Sequence, residues 1–211
     1  MDELLPRFRI DPGKKNFELP AIFPSSVRDV WMEIGFGAGE HLIGQAAKYK
    51  EIGFLGCDPY INGVSSLIYQ INKENLSNIK VFDDDARKLI PKLPTASLGR
   101  IFLLFSDPWP KKRHHRRRMT SEWNINEFAR LLRPGGELRF ATDAIEFATW
   151  TLERMRRDPS FIWLARRSCD WQVPPVDWVE TRYEQKARAR GVGSVYLNFL
   201  RAYKPRKIKT I

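Results

Sequence analysis

Apolar and polar positions along the chain follow two periods. From residue 27 onward, short apolar runs precede stretches in which apolar residues recur every three or four positions: 30–34 leads into 40–48, and 52–57 into 62–74. A short apolar run predicts a strand buried on both faces, and a 3.6-residue period predicts an amphipathic helix. The alternation is therefore that of βαβ units in a parallel sheet. Further strands are expected at 79–82, 101–105 and 137–141, making five parallel strands. After Thr142, the residues Ile145, Ala148, Leu152 and Met155 recur at helical spacing while Glu146, Glu153 and Arg156 fall elsewhere, and Pro159 marks the helix end. Two more strands, 161–164 and 194–200, complete a seven-stranded, doubly wound α/β sheet. Between them lies an irregular stretch with Trp171, Pro174, Pro175 and Trp178, whose length argues for a functional part.

Residues 1–26 carry Pro6, Pro12, Pro20 and Pro24, so an extended arm without regular structure is expected to wrap the body of one domain, 27–211. A hydrophobic fraction of 43% in 211 residues suffices for one core. No apolar run approaches the roughly 20 residues of a membrane span. The first residues lack the basic start and apolar stretch of a secretion signal, so a cytoplasmic protein is expected. Cys57 and Cys169 stand apart, with no Cys-x-x-Cys pair, so neither a disulfide nor a metal site is expected. Thirty-six Lys and Arg against 25 Asp and Glu leave a net charge of +11, which makes nucleic acid the leading partner class. Solvated surface charge is the alternative, and distribution decides between them.

The first strand runs into Glu33-Ile34-Gly35-Phe36-Gly37-Ala38-Gly39-Glu40, followed by a helix, the context in which a glycine-rich turn signals a nucleotide site. Gly35, Gly37 and Gly39 permit a tight turn and close approach of backbone to a ligand. A dinucleotide site would have a third glycine or alanine where Glu40 stands, and a carboxylate there would repel a pyrophosphate. Asp58 ends the second strand, placed to accept hydrogen bonds from ribose hydroxyls. Glu33 adds a carboxylate suited to a cationic ligand. These charges favour a sulfonium cofactor, S-adenosyl-L-methionine, over NAD. Of Asp83, Asp84 and Asp85, one either caps the next helix or, with Asp85 the best placed, accepts from an adenine amino group.

The fourth strand leads into Ser106-Asp107-Pro108-Trp109-Pro110, which puts Asp107 at the carboxyl edge of the sheet, where open α/β folds bind ligands. Trp109 offers a rigid aromatic surface for a pocket wall or a base, or else a core side chain. Lys111-Lys112-Arg113-His114-His115-Arg116-Arg117-Arg118 then supplies six cations without an acid, a density suited to phosphates. With no carboxylate or thiol at ligand spacing, His114 and His115 read as RNA contacts and not as metal ligands.

In four ordered blocks the chain resembles the bacterial type of tRNA (guanine-N7-)-methyltransferase: residues 33–40, residues 107–118, Thr142-Asp143, and Thr181-Arg182-Tyr183-Glu184. The resemblance runs from about Leu5 to Arg201, and the second block is the most specific. It implies the Rossmann-like, seven-stranded class I S-adenosylmethionine-dependent methyltransferase fold and methylation of a guanosine in the tRNA variable loop, at position 46. By position it implies that Glu33, Asp58, Asp85 and Asp107 line the cofactor site, with Asp107 the catalytic residue. Lys111, Asp143, Thr181, Arg182, Tyr183 and Glu184 would meet the substrate, and Arg113 to Arg118 would contact RNA. Arg182 and Tyr183 stand where many members have Lys and Phe, changes that keep the cation and the ring. The partner expected is tRNA, with a monomer or homodimer that needs no second protein.

Guanine N7 carries no proton, so the reaction needs orientation and charge stabilisation more than a general base. Asp107, Asp143 and Glu184 are the acids expected to stabilise the purine cation and to accept from guanine N1–H and N2. Three competing readings are a non-catalytic RNA-binding protein, an exocyclic-amine methyltransferase suggested by the Asp-Pro-Trp segment, and an NAD-linked oxidoreductase.

Overall fold

The computed structural model describes residues 4–13 and 19–204. The parts of the expected arm at 1–3 and 14–18, and of the expected domain at 205–211, lie outside the described residues. Seven strands, β1 (Asp29–Ile34), β2 (Ile52–Cys57), β3 (Ile79–Phe82), β4 (Leu98–Leu104), β5 (Leu132–Thr142), β6 (Phe161–Trp163) and β7 (Val195–Arg201), form one sheet in the order β3-β2-β1-β4-β5-β7-β6. The first five are mutually parallel, and β7 is antiparallel to both β5 and β6. All seven expected strands are present. β5 begins at Leu132, five residues before its expected start, because Leu132 pairs with Leu98 across a register shift. Pro134, Gly135 and Gly136 hide that extension from a pattern reading.

Strand alternation sorts the core into two faces. Val30, Met32 and Ile34 of β1 join Ile101 and Leu103 of β4 in one buried cluster, while Trp31 joins Phe102 and Leu104 in the other. The second cluster is covered by α2 (Glu40–Lys48) and α3 (Ile61–Lys73). The first is covered by α5 (Glu122–Leu131) and α6 (Ile145–Arg157). α2 coincides with its expected span, and α3 lies one residue earlier than expected. The stripe of α6 is corrected: Phe147, Ala148, Thr151 and Met155 are buried, whereas Ile145 opens the helix and is 65% exposed.

Two irregular stretches acquire structure. The arm forms α1 (Leu5–Phe8), and Ile10 donates to the Val81 carbonyl at 2.8 Å, so the arm covers the free edge of β3. Leu4, Leu5 and Phe8 pack on the second cluster, which supplies the apolar anchorage that its prolines conceal. The stretch between β6 and β7 contains α7 (Cys169–Gln172) and α8 (Arg182–Ala189). Ahead of α8, Asp177 pairs with Arg139 at 2.6 Å and with Arg100 at 3.1 Å, and its carbonyl accepts from Gln45 Nε2 at 2.8 Å. Trp178 follows, against His41 and Tyr196. These contacts fasten the loop over the sheet and bring α8 to the carboxyl edge.

Candidate active site

The strand order reverses between β1 and β4, and a cleft of about 1060 Å³ opens there at the carboxyl ends of the strands. Four acids reach it from four strand ends: Glu33 from β1, Asp58 from β2, Asp85 after β3 and Asp107 after β4. Gly35 (φ 77°) and Gly37 (φ 57°) form its floor, and a side chain on Gly35 would meet no atom within 4 Å, so the space above it is open to a ligand. Gly39, expected among the cofactor contacts, does not line the cleft. A Cβ there would lie 2.7 Å from Leu67 Cδ1, so this glycine serves the close packing of α2 on α3.

Asp58 braces the glycine turn. Its Oδ2 accepts from Gly37 N and its Oδ1 from Tyr60 N, each at 2.8 Å. Each oxygen keeps a further lone pair for a ligand hydroxyl. Burial pushes this carboxyl above its ordinary value; the two backbone bonds oppose the shift, and the charges of Glu33 and Asp107 add to it. Crowded carboxylates in a half-dry cleft suit a cation. Glu33 is almost wholly buried, and its Oε2 lies 2.7 Å from His41 Nδ1. His41 is packed between Phe102 and Trp178, and its Nε2 has no partner among the described residues. Hydrophobic periodicity does not single out His41, which lies on the buried side of α2. The signal available was Glu33 itself, an acid on a strand buried on both faces, whose partner is to be sought in the first turn of the next helix.

Of the three consecutive aspartates, Asp83 pairs with Arg9 and Asp84 with Lys88, while Asp85 lines the cleft. Asp85 is also the helix cap: it accepts from Arg87 N at 2.9 Å and grips the Arg87 guanidinium, which holds its carboxyl below the ordinary range. Capping and cleft lining are thus properties of one residue, the N-cap of α4 (Ala86–Leu89).

The turn that carries Asp107 is strained. Phe105 (φ 49°) and Trp109 (φ 44°) both occupy the left-handed region, which costs a non-glycine residue about 1–2 kcal/mol. Phe105 N is tied to the Ala141 carbonyl at 2.8 Å. The Ser106 hydroxyl is buried, faces the cleft and has no partner among the described residues. Asp107 is exposed to the cleft, and Trp109 lines it with Arg117, whose guanidinium lies 4.8 Å from the indole centre.

The basic run is a 3₁₀ helix over Lys112–Arg117. Lys111, Lys112, Arg113, Arg116 and Arg117 are exposed. His114 stands edge-on to Trp109 and accepts from Arg113 Nε, whereas His115 packs on Trp150 with its Nε2 buried. Arg118 corrects the sequence expectation. It is fully buried and bonded to protein groups, so it is not a phosphate contact.

Among the expected substrate residues, Thr181, Arg182 and Tyr183 line the cleft, whereas Lys111, Asp143 and Glu184 do not. The Thr181 hydroxyl accepts from Glu184 N at 3.2 Å and so caps α8. Arg182 pairs with Glu40 at 2.6 Å, joining α8 to the start of α2 across the glycine turn. Glu184 is turned inward at 2% exposure, accepting from Trp178 Nε1 at 2.6 Å and from the Tyr196 hydroxyl. Burial, together with the hydrogen bond to this carboxylate and its charge, raises the Tyr196 phenol above its ordinary value. Asp143 sits beyond β5, 3.4 Å from Arg190. Of the three acids expected around the purine, Asp107 is therefore the one in the cleft. Among the described residues no cluster of His, Cys, Asp and Glu has metal-binding geometry, and no helix is long and apolar enough to cross a membrane.

The family model described as a putative methyltransferase matches residues 27–197. A tRNA (guanine-N(7)-)-methyltransferase of Nitrobacter hamburgensis is 44% identical over 202 residues, covering 95% of this chain and 79% of the relative. One of Rhodospirillum rubrum is 46% identical, covering 92% and 73%. Among solved structures, the aminoglycoside resistance methyltransferase NpmB1 superposes with a TM-score of 0.59 at 16% identity, over 84% of this chain and 89% of that one. TrmN from Thermus thermophilus gives 0.58 at 17%, over 83% and 44%. At those identities the likeness is one of fold: the class I methyltransferase architecture.

Proposed function

The chain belongs to the tRNA (guanine-N(7)-)-methyltransferase family, and on that premise we propose that it methylates N7 of the variable-loop guanosine of tRNA, position 46, with Asp107 as the residue that meets the base. The observation that carries the site assignment is the convergence of Glu33, Asp58, Asp85 and Asp107 on one cleft floored by Gly35 and Gly37.

The donor set fits S-adenosylmethionine. Glu33 and Asp58 offer carboxylate to a cationic amino acid end and to ribose hydroxyls, Gly35 leaves room for close approach, and Asp85 has acceptor capacity beside the adenine position. When bound, that cofactor supplies an electrophilic methyl on a sulfonium. The protein's share is to orient the base and to receive charge. Methylation at N7, where no proton is lost, would leave a positive charge on the purine. Asp107 accepts from the guanine edge and offsets that charge, with no proton removed. Trp109, with the Arg117 guanidinium over its ring, walls the cleft beside it with aromatic surface on which a base can stack. Exposed Lys111, Lys112, Arg113 and Arg116 adjoin the cleft and supply cations for the phosphates that flank the base.

The test is incubation with labelled S-adenosylmethionine and tRNA transcripts with and without the variable-loop guanosine, followed by nucleoside mass spectrometry. Label at N7, lost when that guanosine is absent, is expected. Label at N1 or N2 overturns the assignment.

A further inference from the structure

Arg118 ends the basic run, yet its side chain is fully buried. Its Nε donates to the Pro108 carbonyl at 2.7 Å and its Nη2 to the Trp109 carbonyl at 3.3 Å. The same guanidinium meets both oxygens of Glu146, at 2.6 and 3.3 Å, from the first turn of α6. Its faces lie against Trp150 and Phe147, with ring centres at 4.8 and 5.1 Å. A cation so buried is tolerated because its donors are engaged and its charge is met. The two carbonyls it binds belong to the turn that presents Asp107, and one of them belongs to Trp109, a residue in the left-handed region. At the other end the turn is anchored by Phe105 N on β5, so the strained segment is pinned on both sides of Asp107.

We infer that Arg118, charge-balanced by Glu146, is a positioning residue for methyl transfer: by clamping the carbonyls of Pro108 and Trp109 it holds Asp107 and the Trp109 ring at the cleft. The inference rests on the reading of Asp107 as the residue that meets the guanine. It separates the roles within one run of like charges, since exposed cations reach phosphate while Arg118 shapes the site from beneath. Lysine cannot replace it, because one ammonium lacks the planar fork that reaches two carbonyls and a carboxylate together.

The experiment is a double-mutant cycle on the full chain with Arg118→Lys and Asp107→Asn, reading kcat and KM for tRNA and the affinity for S-adenosylhomocysteine. Arg118→Lys is expected to lower kcat by about 10- to 100-fold, the loss that follows a displacement of about 1 Å at a reacting group, with the S-adenosylhomocysteine affinity held. In the Asp107→Asn background the same change is expected to cost clearly less, because the acid it positions is already disabled and only its hold on Trp109 remains to be lost. Effects that multiply independently would mean that Arg118 merely supports the fold, and would overturn the inference while leaving the role of Asp107 intact. An inert Asp107→Asn would remove that role and the inference with it. Should Arg118→Lys not fold, Glu146→Gln, at a side chain 61% exposed, enters the same cycle with a smaller expected loss of kcat and the same criterion.

Discussion

Gly63 offers the sharpest quantitative test of the cleft floor, because local preference and packing there predict opposite signs. It lies in the first turn of α3, and alanine is preferred to glycine within a helix by about 1 kcal/mol. A Cβ at this position, however, would overlap the Gly37 carbonyl oxygen and lie 3.0 Å from its carbon. Carbon atoms prefer about 3.5–4.0 Å, so the turn has to retreat by about 0.5–1 Å. The obstacle is backbone and cannot rotate away. Overpacking of this kind costs about 1–3 kcal/mol, leaving a net destabilisation of about 0–2 kcal/mol and a fall in Tm of up to about 8 °C. The function suffers more. Gly37 N is bonded to Asp58 Oδ2 at 2.8 Å, and the same displacement takes that bond out of range. A bond to a charged group contributes about 1.5–3 kcal/mol, so the affinity for S-adenosylhomocysteine should weaken by at least about tenfold. Isothermal titration of Gly63→Ala, with Gly193→Ala as a control where a Cβ meets nothing within 4 Å, measures this directly. A Gly63→Ala protein that melts higher and binds with unchanged affinity would refute the close approach of α3 to the cofactor turn.

Asp107→Asn should lower single-turnover methyl transfer by about 10²- to 10³-fold, and full turnover with normal cofactor affinity would remove its assigned role. Alanine at Arg113 and Arg116 should reduce the slope of log K against log salt for tRNA by about 0.7–0.9 for each phosphate no longer neutralised, whereas an unchanged slope would return these residues to plain solvated charge. Burial places the Asp58 carboxyl above its ordinary value of 3.8, so the free protein takes up this proton more readily than an ordinary carboxyl would. Only the ionised carboxylate offers both oxygens as acceptors to the ribose hydroxyls; affinity for S-adenosylhomocysteine should therefore decline as pH falls through that raised value, and Asp58→Asn should flatten the decline. Glu184→Ala leaves Trp178 Nε1 and the Tyr196 hydroxyl without their acceptor, a loss of about 2–6 kcal/mol from two buried donors that denaturant unfolding would detect. A stability equal to that of the unmodified protein would show that water can replace the carboxylate.

Where a segment is buried on both faces, its sequence is nearly all apolar and the strand is plain; β1, β2 and β4 are of this kind. The glycine turn and the acids that follow the strands were equally legible, because strand order and the carboxyl-edge rule together fix where they meet. What the sequence concealed depends on partners distant along the chain. Asp177 gains meaning from Arg100 and Arg139, 77 and 38 residues away, and Glu184 from Trp178 and Tyr196 in a pocket that exists only after β7 has paired. The family resemblance implies that Thr181 to Glu184 meet the substrate as a block. The helix they begin divides them, with Arg182 and Tyr183 toward the cleft and Glu184 into the core.

The basic run shows the same division in its simplest form. Eight adjacent residues read as one electropositive stripe, but a 3₁₀ helix has three residues per turn, so side chains three apart eclipse one another and the run falls into three lines. His115 and Arg118 share one line, and both pack on Trp150. His114 and Arg117 share the next, and both pack on Trp109 at the cleft. Arg113 and Arg116 share the third and face solvent. Charge density alone therefore overstates the phosphate contacts. One line holds the turn that carries Asp107, one builds the wall beside it, and the third, with exposed Lys111 and Lys112 at the start of the run, is left for the RNA backbone. The spacing of three between a cation in the core and a histidine on the same tryptophan is the pattern that would reveal such a run in sequence, provided that its 3₁₀ pitch is recognised first.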